Sequence, residues 1–499
     1  MNTIRFQRFT ARIDNYFYQV VFAISFLYVL TLISNYDINW THPEVAKIQI
    51  PGVVKNGTAI VPGDLLRGFD VLSFEYGGRS RFVSYFFQTF NIKIRLLLLR
   101  FIPPHPSFSL TWILTLILCP ILFFKLIHDL SGDRTTAWAG ASLFLLSTGT
   151  LSGITMFFHP AKPLALFFTL LCCYLGSRLS QYAQREEYFS KRYILLLIIL
   201  LGTMFAACFT DEAAWYIFIC VPILAPGMFR NKRWGLLTIG LCFSMFIIFF
   251  LFVTYLVPII TKQLFGQNSF NFWRMALIKG DRSVWDNYRL TNTFINAWYI
   301  IISQLVPPGK FFSHNIPIRT LYLFVLSTYL VCAFIGLSSD RKKTVLRGLV
   351  ALVLFFIFQS LILAKRGKGL IDSSFYYGNL TSIFLILPLA ILLSAGKEPL
   401  KTLNKIVLIT LLLIYSYNFT GINYRWMRNH EGQRGYGYRK YFPEEAKKMG
   451  RNKLTYPLVK MAWEKRHDRE ALEEMKPLFP LKAHWLFLEL NCVYNPGDD

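Results

Sequence analysis

Two acidic side chains follow the first long apolar run of the sequence, in a polar stretch from residue 35 to residue 100. Asp37 lies three residues beyond the run 16–34, and Glu75 opens the segment EYGGRSRF. A carboxylate at the edge of an apolar span is accessible from both lipid and water, so it suits a general base or a ligand for a divalent cation that holds a phosphate. Asp37 is therefore a candidate catalytic residue and a possible ligand for Mg or Mn, with Glu75 as its rival. The alternative for Asp37 is a solvated helix end.

Asp211 and Glu212 are a second acidic candidate, in the segment FTDEAAW. The gap between the apolar runs on either side is too short for a loop, and carboxylates at such a depth are costly to place. Adjacent residues point in different directions, so we expect one of the two carboxylates to face a cavity. The alternative is that the pair caps the next helix, where negative charge is favoured, and the two roles are compatible.

Basic side chains on the same predicted face could hold a phosphate. Arg79 and Arg81 follow two glycines that allow a tight turn, and guanidinium groups can fork onto phosphate oxygens. His159 and Lys162, in FFHPAKP, lie between the third and fourth apolar runs. A lysine at a helix start opposes the helix dipole, which favours a role as a phosphate contact for Lys162.

A further basic cluster lies in the segment AKRGKGLIDSSFYYGN. Lys365, Arg366 and Lys368 stand on the predicted outer side, where the positive-inside pattern expects few basic residues. Such a cluster could grip the phosphate of a lipid carrier at the mouth of a cavity, or it could contact acidic lipid headgroups. Tyr376 and Tyr377 follow it and could line the same cavity or lie at the membrane interface as ordinary aromatic residues.

The composition indicates the scaffold that must position these residues. Of the 499 residues, 54% are hydrophobic and only 16% are charged, whereas soluble proteins carry about 25% charged residues. The sequence therefore predicts an all-α polytopic membrane protein. The net charge of +25 falls largely between apolar runs, which indicates membrane topology and contact with membrane lipids rather than nucleic acid. The cysteines lie mostly within the apolar runs, without metal-type spacing, and are expected to be small buried hydrophobes.

We predict about eleven transmembrane helices, because that many runs approach the twenty apolar residues needed to cross a bilayer. They are 16–34, 107–127, 136–157, 161–179, 193–210, 213–229, 235–260, 318–337, 346–364, 376–395 and 405–420. Residues 1–420 then form a transmembrane module with a cytoplasmic N-terminus and a first outer loop at 35–106. The shorter run 291–306 is expected to be re-entrant or interfacial. Residues 421–499 are expected to form a small soluble α-helical region on the outer face, with helical stretches at PEEAKKM and DREALEEMKPL.

This layout resembles the GT-C class of membrane glycosyltransferases, in which a long first outer loop carries an early acid and many spans follow it. The order of GGRSRFVSYFFQ, FHPAKPLALFF and FTDEAAWYIF is loosely similar to that of the transmembrane O-mannosyltransferases that carry tetratricopeptide repeats. The likeness covers about residues 15–230. Here the family's early acidic pair is the single Asp37, its Arg-Pro turn reads GRSRF, its Lys-Glu motif is replaced by Asp211-Glu212, and the repeats are missing.

The resemblance implies an integral membrane enzyme that moves a sugar from a polyprenyl-phosphate-linked donor to a glycan, lipid or protein acceptor on the periplasmic or lumenal face. It gives Asp37 the role of base or metal ligand. A bacterial inner membrane is expected rather than the endoplasmic reticulum. The alternatives are a polymerase or ligase of surface polysaccharide, a transporter of lipid-linked sugars, and a scaffold without enzymatic activity.

Overall fold

The fold was analysed in a computed structural model. It describes residues 2–34, 82–102, 110–147, 150, 161–185, 187, 190–225, 232–256, 259–260, 262–263, 316–363, 380–393, 400–429, 455–478 and 485–495. Helices account for 91% of the described residues, and none of these residues lies in a strand. The predicted all-α class is therefore confirmed.

Three helices are long and apolar enough to cross a membrane. They are α3 (Leu110–Ser131), α5 (Ala161–Gln184) and α6 (Lys191–Cys208). The outward-facing apolar surface is clearest on α6. Only 33% of its apolar stretch is buried in the protein, and the rest presents large apolar side chains outward. Such a surface suits hydrocarbon better than water, so the chain is membrane-associated.

The other described helices complete the bundle and its C-terminal part. The bundle helices are α1 (Asn2–Ser34), α2 (Phe82–Leu99), α4 (Arg134–Leu145), α7 (Ile217–Leu224), α8 (Lys232–Leu251), α9 (Ile316–Ile335), α10 (Ser339–Leu363), α11 (Thr381–Leu393) and α12 (Leu400–Asn429). The C-terminal helices are α13 (Thr455–Glu464), α14 (Arg469–Met475) and α15 (Trp485–Tyr494). The predicted helix in DREALEEMKPL is confirmed by α14, which Asp468 caps through a hydrogen bond from the Ala471 N–H.

Three short helices lie at the centre of the bundle. In the described parts of the predicted runs 136–157, 213–229 and 376–395 they are α4, α7 and α11, of 12, 8 and 13 residues. Part of each run lies outside the described residues. Every residue of α11 is buried, so the apolar character of this run reflects contact with protein rather than with lipid.

Two of the long helices contain a π-helical segment. In α3 the segment is Ile113–Leu118, and Pro120 follows after Cys119. Proline has no N–H and its ring clashes with the carbonyl four residues earlier, so the helix must change its hydrogen-bond register there. The helix α8 continues beyond Leu251 into a second such segment, Phe252–Leu256. Segments of this kind are rare and are found often at functional sites.

Two elements lie at the predicted boundaries. The last part of the predicted first outer loop, a polar insert with aromatic residues, forms the helix α2, whose polar side chains are buried. The border at residue 420 falls inside α12, which continues to Asn429. The run 291–306 and the segment PEEAKKM lie outside the described residues.

Candidate functional site

Two of the predicted site residues, Lys162 and Asp211, form a buried ion pair. Nζ of Lys162 lies 2.9 Å from Oδ1 of Asp211 and donates a hydrogen bond to it. The two side chains are only 5% and 2% exposed. A buried charge is tolerated when a partner of opposite charge compensates it. The pair therefore explains how a lysine occupies the second position of α5 against the helix dipole.

The local chain path places Asp211 at a break between two apolar helices. α6 ends at Cys208, and a 3-10 turn, Glu212–Tyr216, leads into α7. Asp211 caps this turn, since its Oδ1 accepts a hydrogen bond of 3.0 Å from the N–H of Ala213. The capping interpretation is thus confirmed for Asp211, and the same oxygen also receives the ammonium of Lys162.

Aromatic side chains hold the turn from both sides. The hydroxyl of Tyr216 donates a hydrogen bond to the carbonyl of Ala351 in α10. Its ring packs edge-on against Phe355 and Phe384, with centroids 5.1 and 5.3 Å away. These contacts fasten the turn to α10 and α11.

On the opposite side the turn is fastened to α8. The indole N–H of Trp215 donates to the carbonyl of Cys208 over 3.1 Å. The Trp215 ring packs on Phe249 of α8 at 5.2 Å, and Phe209 packs on the same phenyl ring at 5.0 Å. Because the turn is held by packing on two faces, the carboxylate of Asp211 is held in place before any ligand arrives.

The helix α2, from the predicted first outer loop, reaches this turn. Oγ of Ser84 donates a hydrogen bond of 3.0 Å to the carbonyl of Thr210, the residue before Asp211. Ser84 is 2% exposed and Thr210 is completely buried. The contact places the start of α2, which follows Glu75 in the sequence, next to the residue that precedes Asp211.

The arrangement can offer fixed charge in a dry environment. A positioned ammonium can stabilise negative charge that develops on a departing phosphate, and this effect is large where water is excluded. The carboxylate of Asp211 is already occupied by two donors at one oxygen, which suits it to positioning Lys162 better than to taking up a proton.

The structure does not place the remaining predicted site residues at the Lys162–Asp211 pair. Glu212 forms the first residue of the 3-10 turn. The others lie outside the described residues: Asp37, Glu75, Arg79, Arg81, His159, Lys365, Arg366, Lys368, Tyr376 and Tyr377. Their assignments stay predictions, as does the divalent cation at Asp37. Among the described residues no group of three or more His, Cys, Asp or Glu side chains is placed to hold a metal ion.

The sequence interpretation missed Ser84 and the polar stripe to which it belongs. Ser84, Gln88, Asn91 and Arg95 recur at helical spacing along one face of α2. Their spacing of four, three and four residues was a readable signal of a single helix face. The segment was instead assigned to the polar insert of residues 35–100, without separate attention to its last part.

The prediction of buried cysteines is confirmed for six of those in the described helices and is wrong for Cys332. Cys119, Cys172, Cys173, Cys208, Cys220 and Cys242 are buried free thiols, while Cys332 is exposed and Cys492 half-buried. Comparisons with protein-family models, with curated proteins and with solved structures gave no match.

Proposed function

We propose that this chain is a membrane glycosyltransferase that moves a hexose or a pentose from a polyprenyl-phosphate-linked donor to a glycan, lipid or protein acceptor. The observation that carries the proposal is the buried Lys162–Asp211 pair at the break between α6 and α7. Ionisable groups within apolar helices are expensive and default to a functional role. A fixed cation in a dry environment suits the transfer of a sugar from a phosphate, because it can stabilise the charge on the departing phosphate.

The proposal includes a multi-pass bundle of about eleven spans, of the GT-C type, in a bacterial inner membrane. Apolar side chains that point away from the protein support it on several helices beyond the three long ones. Examples are Phe324 in α9, Val353 in α10 and Leu413 in α12, which are 68%, 56% and 66% exposed. In water such surfaces would favour aggregation, whereas lipid tails cover them without cost.

The proposed reaction is an inverting transfer. The acceptor hydroxyl gives its proton to a carboxylate, either that of Asp37 or that of Glu75, as its oxygen bonds to the anomeric carbon. The bond from the anomeric carbon to the phosphate oxygen breaks, and its electrons leave with the lipid phosphate. Lys162 stabilises that phosphate, with Asp211 positioning the ammonium. Arg79, Arg81, Lys365, Arg366 and Lys368 are the further phosphate contacts proposed, and a divalent cation at Asp37 would serve the same end.

The test uses purified protein in detergent with a panel of radiolabelled polyprenyl-phosphate sugars. Hydrolysis or transfer is followed for the wild type, Asp37→Asn, Glu75→Gln and Lys162→Met, and donor binding is measured separately. We expect one acid variant to lose turnover by at least about a hundredfold while it still binds donor, since general acid–base catalysis is worth that much. Lys476→Met, which removes an exposed partner of Glu473, is the matched control for Lys162→Met and should keep full turnover.

If the wild type neither binds nor consumes any donor, and the two acid variants behave as it does, the enzyme proposal fails. A transporter of lipid-linked sugars is the alternative that the same buried pair would support, because such pairs also mark ion and substrate pathways. Reconstituted liposomes distinguish the two, since a transporter moves the labelled carrier across the bilayer with its sugar–phosphate bond intact. A polysaccharide polymerase or ligase would instead require an oligosaccharide carrier as donor.

A further inference from the structure

The buried part of α2 carries a polar stripe beside the apolar residues Ile92, Leu96 and Leu99. Ser84, Gln88, Asn91 and Arg95 are all at most 2% exposed. On the outer face Phe86, by contrast, is 47% exposed. A helix normally turns its apolar stripe inward. The polar stripe of α2 therefore has to find its partners inside the protein.

Both ends of this stripe have such partners. At the first end Ser84 donates to the carbonyl of Thr210, beside the ion pair. At the far end Arg95 forms two hydrogen bonds with Glu489 of α15. Each end is thereby satisfied by the chain itself.

The middle of the stripe is different. Oδ1 of Asn91 accepts a hydrogen bond of 2.8 Å from the N–H of Leu110 at the start of α3. Its Nδ2, however, has no hydrogen-bond partner within the described part of the chain, and neither do Nε2 and Oε1 of Gln88. Gln88 is 1% exposed and Asn91 is completely buried. Three polar atoms of two neighbouring amides are thus buried without a partner among the described residues.

The two amides concentrate three costly polar atoms at one place. Leaving a buried donor or acceptor unsatisfied costs about 1–3 kcal/mol for each group, and most buried polar groups in proteins are paired. An apolar residue at position 88 would avoid the cost, as residues 86 and 90 on the same helix show that the segment accommodates phenylalanine. The described part of the chain leaves these amides free to bind a polar group of a ligand.

The position of the amides suggests what that partner is. Residues four apart on a helix lie on one face, about 6 Å apart along the axis, so Gln88 follows directly after Ser84. Ser84 in turn contacts the residue that precedes Asp211. The stripe thus leads away from the charged pair, towards the start of α3 and its π-helical segment Ile113–Leu118. A ligand that reaches both the pair and the amides carries its charge at one end and uncharged polar groups at the other.

We propose that Gln88 and Asn91 form a subsite for the hydroxyl groups of a sugar, next to the Lys162–Asp211 pair. A primary amide has two N–H donors and an acceptor oxygen, and neighbouring hydroxyls on a sugar ring present both kinds of group. The amides are neutral, so they can form hydrogen bonds with hydroxyl groups while the phosphate binds to the charged Lys162. The assignment rests on the proposed function, of which it names the sugar-binding part.

The test compares Gln88→Met with the wild type in binding assays on three probes. These are short-chain polyprenyl phosphates that bear a hexose or a pentose, the bare polyprenyl phosphate, and a free oligosaccharide. Methionine has nearly the shape of glutamine without its amide. We expect the variant to lose about tenfold or more in affinity for the glycosylated carrier, which corresponds to one or two hydrogen bonds. Its affinity for the bare carrier should not change.

A purely structural role for Gln88 predicts that its substitution lowers the melting temperature of the ligand-free protein. The proposed subsite predicts that removal of an unsatisfied amide leaves this melting temperature unchanged or raises it. A binding defect at unchanged melting temperature therefore cannot come from unfolding. Thr254→Val is the matched control, since Oγ1 of Thr254 is also buried without a partner among the described residues, but in α8. It should match the wild type in binding to all three probes. Gln88→Leu is the second variant if Gln88→Met does not fold.

The outcomes separate the subsite from the proposed function. A loss of affinity confined to the glycosylated carrier supports a subsite for the donor sugar. A loss of affinity confined to the free oligosaccharide supports a subsite for the acceptor sugar. If in addition the wild type binds no carrier, the subsite stands although the donor proposal fails. If Gln88→Met binds every probe as the wild type does, the subsite is overturned while the function stands. If the wild type binds none of the probes, both are overturned.

Discussion

The guanidinium of Arg95 and the carboxylate of Glu489 form a buried, two-pronged ion pair across 394 positions of the sequence. Nε donates to Oε1 and Nη2 donates to Oε2, each over 3.0 Å, and the side chains are 1% and 0% exposed. The pair joins α2, from the predicted first outer loop, to α15 at the end of the described chain. It therefore holds α15 against the end of α2.

Further contacts surround this pair and fix the end of α2. The carbonyl of Leu99 accepts hydrogen bonds from the indole N–H of Trp463 and from the hydroxyl of Tyr494. The guanidinium of Arg466 lies 3.9 Å from the centre of the Trp463 ring and 5.2 Å from that of Tyr494. The C-terminal helices thus satisfy a carbonyl that the end of α2 would otherwise leave without a partner.

The first prediction concerns the order of stability among variants of this pair. Burial raises the pKa of the Glu489 carboxyl more than the Arg95 guanidinium lowers it. Glu489→Met leaves a permanent charge buried on Arg95 and should cost about 3–5 kcal/mol. Arg95→Met should cost less, because the remaining carboxyl can take up a proton. The double variant should be close to wild type in stability.

Thermal unfolding in detergent measures these differences, and pH gives a second signature. In Arg95→Met the folded state holds a carboxyl with a raised pKa, so it binds a proton more tightly than the unfolded state does. Its stability should therefore rise as the pH falls from 8 towards about 5. A double variant as unstable as Glu489→Met, or an Arg95→Met variant without pH dependence, would contradict this account.

The second prediction separates the charge of Asp211 from its capping role. Asp211→Asn keeps an oxygen for the N–H of Ala213 but leaves Lys162 without its carboxylate, so it should cost about 3 kcal/mol or more. Adding Lys162→Met to it should recover part of the loss, since the two residues are in contact and their effects are not additive. A double-mutant cycle of unfolding measurements gives the coupling. Zero coupling would show that the pair does not act as a unit.

The third prediction uses two glycines in different surroundings. A Cβ on Gly140 of α4 would lie 2.2 Å from Cδ1 of Ile127 and 3.0 Å from Cβ of Ala390, so Gly140→Ala should destabilise the bundle by about 1–3 kcal/mol. A Cβ on Gly202 of α6 meets nothing within 4 Å. Gly202→Ala should be neutral or stabilise by up to about 1 kcal/mol, since glycine is a poor helix former. Changes in melting temperature of the same sign for the two variants, each relative to wild type, would contradict the close packing around Gly140.

The fourth prediction concerns Asp133, which caps α4 at the turn after α3. Burial acts to raise the pKa of its carboxyl, but hydrogen bonds from Thr136 and Thr135 and the charge of Arg341 outweigh it and lower the pKa. A lowered pKa means that the carboxylate stabilises the fold at pH values above the ordinary pKa of an aspartate. This stabilisation is lost as the pH falls through the pKa of Asp133 in the folded protein. Asp133→Ala should cost about 1–2 kcal/mol near pH 7.

The pH dependence checks the sign of this effect. The difference in unfolding free energy between the wild type and Asp133→Ala should shrink as the pH falls from about 6 towards 3. Thr344→Ala, which removes a hydroxyl bonded only to the carbonyl of Asp340 in an exposed turn, serves as the control and should differ little from wild type at either pH. A difference that grows in acid would contradict the lowered pKa of Asp133.

The sequence by itself determined the features that depend on neighbouring residues. Long apolar runs are enough to predict helices and a membrane, because backbone groups in hydrocarbon must bond within their own segment. Capping is equally local, so the cap at Asp211 and the helix in DREALEEMKPL were within reach of the sequence. The loop acids Asp37 and Glu75 remain sequence predictions, since they lie outside the described residues.

Only the tertiary structure decided which distant faces meet. The pairing of Lys162 with Asp211 spans 49 positions, and that of Arg95 with Glu489 spans 394. Nothing in the composition of a segment tells whether protein or lipid covers its apolar residues, so the burial of every residue of α11 could be read only from the packing. The same holds for the polar stripe of α2. Its helical spacing is visible in the sequence, but its burial against the bundle follows from the partners that packing brings to it.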